Sequence, residues 1–139
     1  KRAYYALVQG VISEPAGLVD APIGRHETDR KKMAVTLKNS KEARTHYYVK
    51  ERFSRHTFIE CRLETGRTHQ IRVHMAYLGH PLVGDPLYGT RKNNLDFPGQ
   101  ALHAYALGFV HPRTGEQLYF EAPLPAHFQS VLKNLAQGV

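Results

Sequence analysis

Arg67, His69, Gln70, Arg72 and His74 crowd into one short stretch of the run LETGRTHQIRVHMAYLGHPLVGDPLYG, residues 63–89. Polar groups at that density do more than pack. His69 and Gln70 project from what reads as the first turn of a helix, where backbone N–H groups and the helix dipole favour phosphate or carboxylate. Capping of the helix end is the competing use of the same two residues. Arg72 sits beside an apolar stripe, so its guanidinium must either reach water or meet a buried carboxylate, because an unpaired buried charge is very costly. Nothing near it in sequence is an obvious partner. Metal chemistry is disfavoured. His69 and His74 are five apart rather than four, which keeps them off a common helix face, and no CxxC or HExxH pattern organises the nine histidines.

The elements that must hold these residues follow from local pattern. Gly66 and Thr68 are expected to make a strand-to-helix turn, the glycine for its backbone freedom and the threonine as a cap. A helix then runs to about Leu78, with Ile71, Met75 and Leu78 on its core face, and Gly79 and Pro81 end it. Asp85 and Tyr88 either approach the same cleft or brace a tight turn through side-chain hydrogen bonds. Upstream, residues 3–12 carry apolar groups on both faces, Tyr4, Ala6 and Val8 on one and Tyr5 and Leu7 on the other, as a central strand does. Residues 45–53 and 57–63 alternate and form an antiparallel hairpin, with Cys61 inward as a small core residue. Residues 13–22 and 90–99 read as loops. Residues 100–110 and 117–122 form another strand pair, and Phe128, Val131, Leu132 and Leu135 give a closing helix its sheet-facing side. The class is α+β, a mixed, mostly antiparallel sheet with a few helices in one domain.

At 139 residues and 42% hydrophobic the chain has enough material for a core. Nineteen Lys and Arg against twelve Asp and Glu leave a net charge of +7, which points to a polyanionic partner, with a merely solvated basic surface as the bland alternative. The densest basic stretch, residues 25–44, is interrupted by a short strand near residues 33–37. It holds Arg25, Arg30, Lys31 and Lys32, the expected phosphate contacts. The lone Cys61 excludes an intrachain disulfide. No apolar run approaches the roughly 20 residues of a membrane span, and no signal-peptide-like centre opens the chain. A cytoplasmic, metal-free protein is the expectation.

Taken in order, Gly66-Arg67-Thr68-His69-Gln70-Ile71-Arg72-Val73-His74, then Gly79-His80-Pro81, then Gly84-Asp85-Pro86-Leu87-Tyr88-Gly89 resemble the signature of the RluA-type RNA pseudouridine synthases. Tyr4-Tyr5-Ala6, Asp20-Ala21-Pro22-Ile23, Gln100-Ala101-Leu102-His103-Ala104 and Glu121-Ala122-Pro123-Leu124-Pro125 agree in order, and the likeness is greatest to the RluD-like branch. The resemblance implies an isomerase that converts uridine to pseudouridine in structured RNA, large-subunit rRNA for that branch, with no cofactor. In such enzymes a carboxylate attacks the nucleoside, the glycosidic bond breaks, and the base turns and rejoins through carbon. Tyr4 would be the aromatic against the target base and Arg72 the charge partner of the nucleophilic Asp. Arg67, His69 and Gln70 would line the cleft or hold the flipped strand.

The family carries its nucleophile in a segment resembling HRLDxxTSG, upstream of the Tyr-x-Ala strand. No such segment occurs here. Asp20, Asp29, Asp85 and Asp96 are the only aspartates, and none stands in that context. Residues 1–139 therefore read as the C-terminal part of a catalytic domain, inactive alone. Its partner would be the missing N-terminal part of the same protein, expected to add along the sheet edge at residues 3–12. The alternative is a non-catalytic RNA-binding module, against which stands Arg72 and its need for a carboxylate. A nuclease built on the histidines is weaker than either.

Overall fold

Ala6, Leu7 and Val8 are consecutive and all fully buried, which a strand achieves only with cover on both faces and a neighbour on both edges. In the computed structural model, which describes residues 2–90 and 95–138, β1 (Arg2–Gln9) meets that demand. The hairpin formed by β6 (Arg44–Arg52) and β7 (His56–Leu63) lies on one side, with β7 paired to β1. The pair β8 (Leu102–Val110) and β9 (Gln117–Glu121) lies on the other, with β8 paired to β1. An outer strand, β2 (Ala16–Asp20), joins β6, so the sheet runs β2-β6-β7-β1-β8-β9, every ladder antiparallel. The α+β, antiparallel-dominated class read from the sequence is the one observed.

Two expectations fail here. Both edges of β1 are occupied, so no further segment can add to the sheet at residues 3–12; among the described residues the free edges are β2 and β9. Residues 13–22 are not a plain loop either. Val19 turns into the core there, and Gly17 lets the Tyr47 ring lie against the strand: a Cβ on Gly17 would sit 2.5 Å from the Tyr47 hydroxyl oxygen.

A second, small sheet grows out of the basic stretch. Its strands β3 (Ile23–Arg25), β4 (Met33–Val35) and β5 (Ser40–Lys41) run in the order β4-β3-β5. Helix α1 (Gln70–Tyr77) is wedged between the two sheets. Ile71 and Met75 pack with Ala6, Val8, Ile59 and Cys61 of the large sheet, while Val73 packs with Ile23 and Ala43. Enclosed this way, α1 buries every residue from Gln70 to Met75, polar ones included. Leu78 does not share the core face as expected: α1 ends at Tyr77, Gly79 takes the left-handed φ of 89° that stops it, and Leu78 is 38% exposed.

Helix α2 (Ala126–Ala136) covers the opposite face of the large sheet, where Phe128 and Val131 join Leu7 and Phe58, with Leu132 and Leu135 packed alongside. Of the expected loop at 90–99, residues 91–94 lie outside the described residues, and Leu95 and Phe97 pack onto this second core. Cys61 is buried in the first, where desolvation, aided by Glu60, pushes its thiol up to about 12. That is an inert core thiol, as the sequence suggested.

The two sides of α1 give the first test. Met75→Ala, at a fully buried position, should cost about 2–5 kcal/mol of stability. Leu78→Ala should stay within about 0.5 kcal/mol. Urea unfolding of both variants measures the contrast, and equal losses would mean that Leu78 packs after all.

Candidate active-site cleft

Burying Gln70, Arg72 and His74 on one short helix obliges each to find partners inside the protein. Gln70 uses both ends of its amide. Its Oε1 accepts from the Thr65 hydroxyl at 2.8 Å and the Arg67 backbone N–H at 2.9 Å, and its Nε2 donates to the Arg44 carbonyl at 3.0 Å and Thr45 Oγ1 at 2.9 Å. Thr45 in turn meets His74 Nδ1 at 2.7 Å, and His74 Nε2 meets the Ala21 carbonyl at 2.8 Å. Because the Ala21 carbonyl only accepts, the His74 proton sits on Nε2 and the Thr45 hydroxyl donates to Nδ1. Burial holds His74 below its ordinary pKa, against smaller opposing effects of the Ala21 carbonyl and Asp20.

This chain of bonds corrects the expectation for Gln70. Its amide is fully committed to protein, so it positions the cleft wall and has no proton left for RNA. The cap expected from Thr68 does not form, and Thr68 is exposed. The N-cap of α1 is His69, with no side-chain cap, and His69 rather than Gly66 takes the left-handed backbone, φ 56°. Gly66 adopts no such conformation, and a Cβ there would meet only Arg2 Nη1, at 3.5 Å.

Arg72 has a partner within the chain. Its Nε and Nη2 grip the two oxygens of Asp85 at 2.9 Å each, in the two-pronged geometry that suits guanidinium and carboxylate. Asp85 Oδ1 also accepts the backbone N–H groups of Leu87 at 2.9 Å and Tyr88 at 3.1 Å. Burial pushes the Asp85 carboxyl up, but Arg72 and those two amides outweigh it and hold it below the usual carboxylate range. The backbone at this turn is placed by Leu82 and Val83, which run beside β1 through Val83 N–H to the Leu7 carbonyl at 2.9 Å. Gly84 is needed just before it: its φ is 75°, and a Cβ would strike the Gly99 carbonyl oxygen at 2.4 Å. Tyr88 completes the cluster, with Arg72 Cζ 5.2 Å from its ring centre and its hydroxyl 2.8 Å from His69 Nδ1. Both uses weighed for Asp85 and Tyr88 are therefore real: they brace a tight turn and they stand behind the cleft.

The cleft itself is a cavity of about 240 Å³ whose walls include Tyr4, Arg67, His69, Gln70 and Arg72, with Leu63, Ile71 and Leu102 as its apolar part. Arg2 and Gln100, which the sequence did not single out, also line it. Arg2 could have been found from strand parity with Tyr4; Gln100 carried no local signal. No carboxylate is among the lining residues. Arg72 Nη1 has no hydrogen-bond partner among the described residues. Arg67 is anchored at the rim by its Nε to the Glu42 carbonyl, 2.7 Å. Arg25, Arg30, Lys31 and Lys32 are not in this cleft; they belong to the small sheet and its loop, where Arg25 Nη1 donates to the Arg30 carbonyl at 3.2 Å. Among the described residues no group of three His, Cys, Asp or Glu could hold a metal.

With a net charge of +7 and Arg2, Arg67 and Arg72 lining the cleft beside Tyr4, the site presents a positive field that favours anionic groups. Residues 1–77 match the model of the family described as RNA pseudouridylate synthase, and the chain belongs to that family. It is 59% identical over 137 residues to an uncharacterized RNA pseudouridine synthase of Bacillus subtilis, covering 99% of this chain and 45% of that protein. It is 51% identical over 140 residues to ribosomal large subunit pseudouridine synthase D of Nitrosomonas europaea, covering 96% and 40%. Among solved structures it resembles human RNA Pseudouridylate Synthase Domain Containing 1, with a TM-score of 0.82 and 29% identity over 99% of this chain and 64% of that one. The chain thus spans under half the length of the curated relatives it matches.

The buried pair sets a pH-dependent stability. A carboxyl whose pKa is lower folded than unfolded contributes stability that is full above the ordinary Asp value, about 3.9, and is lost as pH falls through the lowered folded value. Asp85→Asn leaves Arg72 buried with its charge uncompensated, so it should cost about 3–5 kcal/mol at pH 7. The gap from the parent should narrow as pH falls below about 4. Denaturant unfolding across that range measures it; a gap independent of pH would mean that the carboxylate's charge is not what matters.

Proposed function

We propose that the protein carrying this chain isomerises uridine to pseudouridine in structured RNA, large-subunit rRNA being the substrate, and that residues 1–139 are the C-terminal part of its catalytic domain. The observation that carries this reading is the composition of the cleft. Tyr4 and Arg72 meet at one cavity, and no carboxylate lines it. The four aspartates of the chain are placed elsewhere. Asp20 pairs with Arg44 at 2.5 Å, Asp29 accepts from the Lys31 backbone, Asp85 is engaged by Arg72, and Asp96 is not among the lining residues. The nucleophilic carboxylate in this reading comes from outside residues 1–139, on an N-terminal part of the same protein. In this reading Tyr4 packs against the flipped base, Arg72 offers Nη1 to the incoming carboxylate, and Arg67 with the basic small sheet holds the RNA backbone. No cofactor enters the chemistry. The protein works in the cytoplasm; among the described residues no helix is long and apolar enough to cross a membrane.

One observation favours the second reading, a non-catalytic RNA-binding module. Arg72 no longer requires an absent carboxylate, because Asp85 satisfies it. The two readings separate in one experiment. A polypeptide of the relatives' full length should form pseudouridine on unmodified large-subunit rRNA, while residues 1–139 alone should form none. RNA binding without product from the long form would favour the module.

Binding should be mainly electrostatic. Each phosphate contact contributes about 0.7–0.9 to the slope of log affinity against log salt. Replacing Arg30, Lys31 and Lys32 together by neutral residues should flatten that slope. An unchanged slope would place the RNA backbone on another surface.

A further inference from the structure

Tyr88 is asked for two hydrogen bonds by two different elements. Its hydroxyl oxygen accepts the backbone N–H of Met33, on β4, at 2.8 Å, and it lies 2.8 Å from Nδ1 of His69, at the head of α1. A backbone amide can only donate, and a phenol has a single proton to give. Among the described residues the only acceptor placed to receive that proton is His69 Nδ1. With the phenol proton given to Nδ1, that nitrogen is bare and the ring carries its proton on Nε2. That nitrogen has no partner among the described residues and is not sealed from solvent, while His69 lines the cleft beside Tyr4 and Arg72.

We propose that His69 offers the cleft an Nε2–H donor of fixed tautomer, set by Tyr88, and that this donor recognises a carbonyl oxygen of the target base rather than a phosphate. The proposal rests on the RNA-modification reading above and goes further by naming the group that reads the base. A protonated ring, which a phosphate would favour, needs a proton on Nδ1 and so has to break the bond from Tyr88. The surroundings act in the same direction. Burial, then the charge of Arg72, hold His69 below its ordinary pKa, with Asp85 as a smaller opposing influence. Asp85 is itself taken up by Arg72, Tyr88 is uncharged, and Arg67 at the rim adds another positive charge. The pocket around His69 is apolar on the side of Leu63, Ile71 and Leu102, which suits a flat base with its phosphates outside, near Arg2 and Arg67. The left-handed backbone at His69, φ 56°, is a conformation that non-glycine residues adopt uncommonly. It is retained where α1 takes its first turn, with Val73 N–H on the His69 carbonyl at 2.9 Å.

The test uses the full-length polypeptide. Nitrogen NMR of labelled histidine should show His69 with an unprotonated Nδ1 and a protonated Nε2, and Tyr88→Phe should turn this into a mixture of tautomers. His69→Asn accepts the left-handed backbone but ends too short to reach the position of Nε2, whereas His69→Gln places a neutral N–H there. The Asn variant should therefore lose about three- to tenfold in kcat/KM, the value of one hydrogen bond. The Gln variant should recover most of it, and neither should change the salt slope of RNA binding. A protonated Nδ1, or a Gln variant as weak as the Asn variant, overturns the proposal. A salt slope that falls by about 0.7–0.9 in both variants would make His69 a phosphate contact instead. If the tautomer is as stated but the parent protein binds no RNA, the functional reading fails and this inference falls with it. RNA binding with the wrong tautomer sinks the inference alone.

Discussion

Arg72 cannot be buried on α1 unless Asp85 is beneath it. A guanidinium removed from water without a carboxylate costs several kcal/mol even after relaxation, and here the Arg72 and Asp85 side chains are 10% and 0% exposed. Their contact fixes the distance and angle between α1 and the turn at residues 85–89, and the same carboxylate draws in two backbone amides of that turn. The turn is in turn pinned to β1 through Leu82 and Val83. One ion pair thus locks the helix, the turn and the central strand together, and the side chains of the cleft, Tyr4 from β1 and His69 and Arg72 from α1, inherit their relative positions from it.

A second constraint acts on another side of the same helix, from residues that bracket Arg72. Gln70, Thr45, His74 and the Ala21 carbonyl form a continuous path of hydrogen bonds across the buried interface of α1, β6 and the entry to β3. Such a path is costly when incomplete and specifying when complete. It is complete at each of these atoms. That is how a helix with three polar residues on consecutive alternate positions can sit between two sheets, a place usually held by apolar residues all round.

This location also explains which parts of the sequence were legible. β1, the β6–β7 hairpin, the β8–β9 pair and α2 each have a clean period of two or of 3.6, because each packs against a core in the way those periods assume. Gly79 was readable as a helix stop for an equally local reason. Helix α1 was readable in its place and in the face of Ile71 and Met75, but not in the burial of its other sides, which face different sheets; Leu78 looked apolar and in phase yet falls just past the covered turns. Gly66 and Thr68 suggested a side-chain cap that the helix does without; Gln70 instead ties the preceding turn through Thr65 and Arg67. Strand β2 was hidden because Pro15 and Gly17 read as loop punctuation, whereas the glycine is there to admit the Tyr47 ring. The partner of Arg72 was missed because helix periodicity says nothing about contacts across the stop at Gly79, although an Asp followed by Pro, with free amides two and three residues on, is itself a recognisable turn signal. The cleft residues Tyr4, Arg67, His69 and Arg72 were legible from the resemblance, and the structure gathers them at one cavity.

The same pairing alters how the proposed complete cleft has to work. A free arginine beside a carboxylate lowers its pKa by about 1–3. Arg72 is not free: two of its three nitrogens and most of its charge are already matched by Asp85. A nucleophilic carboxylate arriving at Nη1 would share one guanidinium with a second carboxylate close behind it, and like charges in one site raise each other's pKa. The depression that Arg72 can give an incoming carboxylate is therefore smaller than the isolated-pair value. Direction is what it can supply in full: the plane of the guanidinium is fixed by two bonds to Asp85, so the remaining N–H has little freedom. In the proposed arrangement the cleft would aim an incoming carboxylate more than it acidified it, and the reserve of positive charge needed to keep that carboxylate ionised would come from Arg2 and Arg67, which line the same cavity.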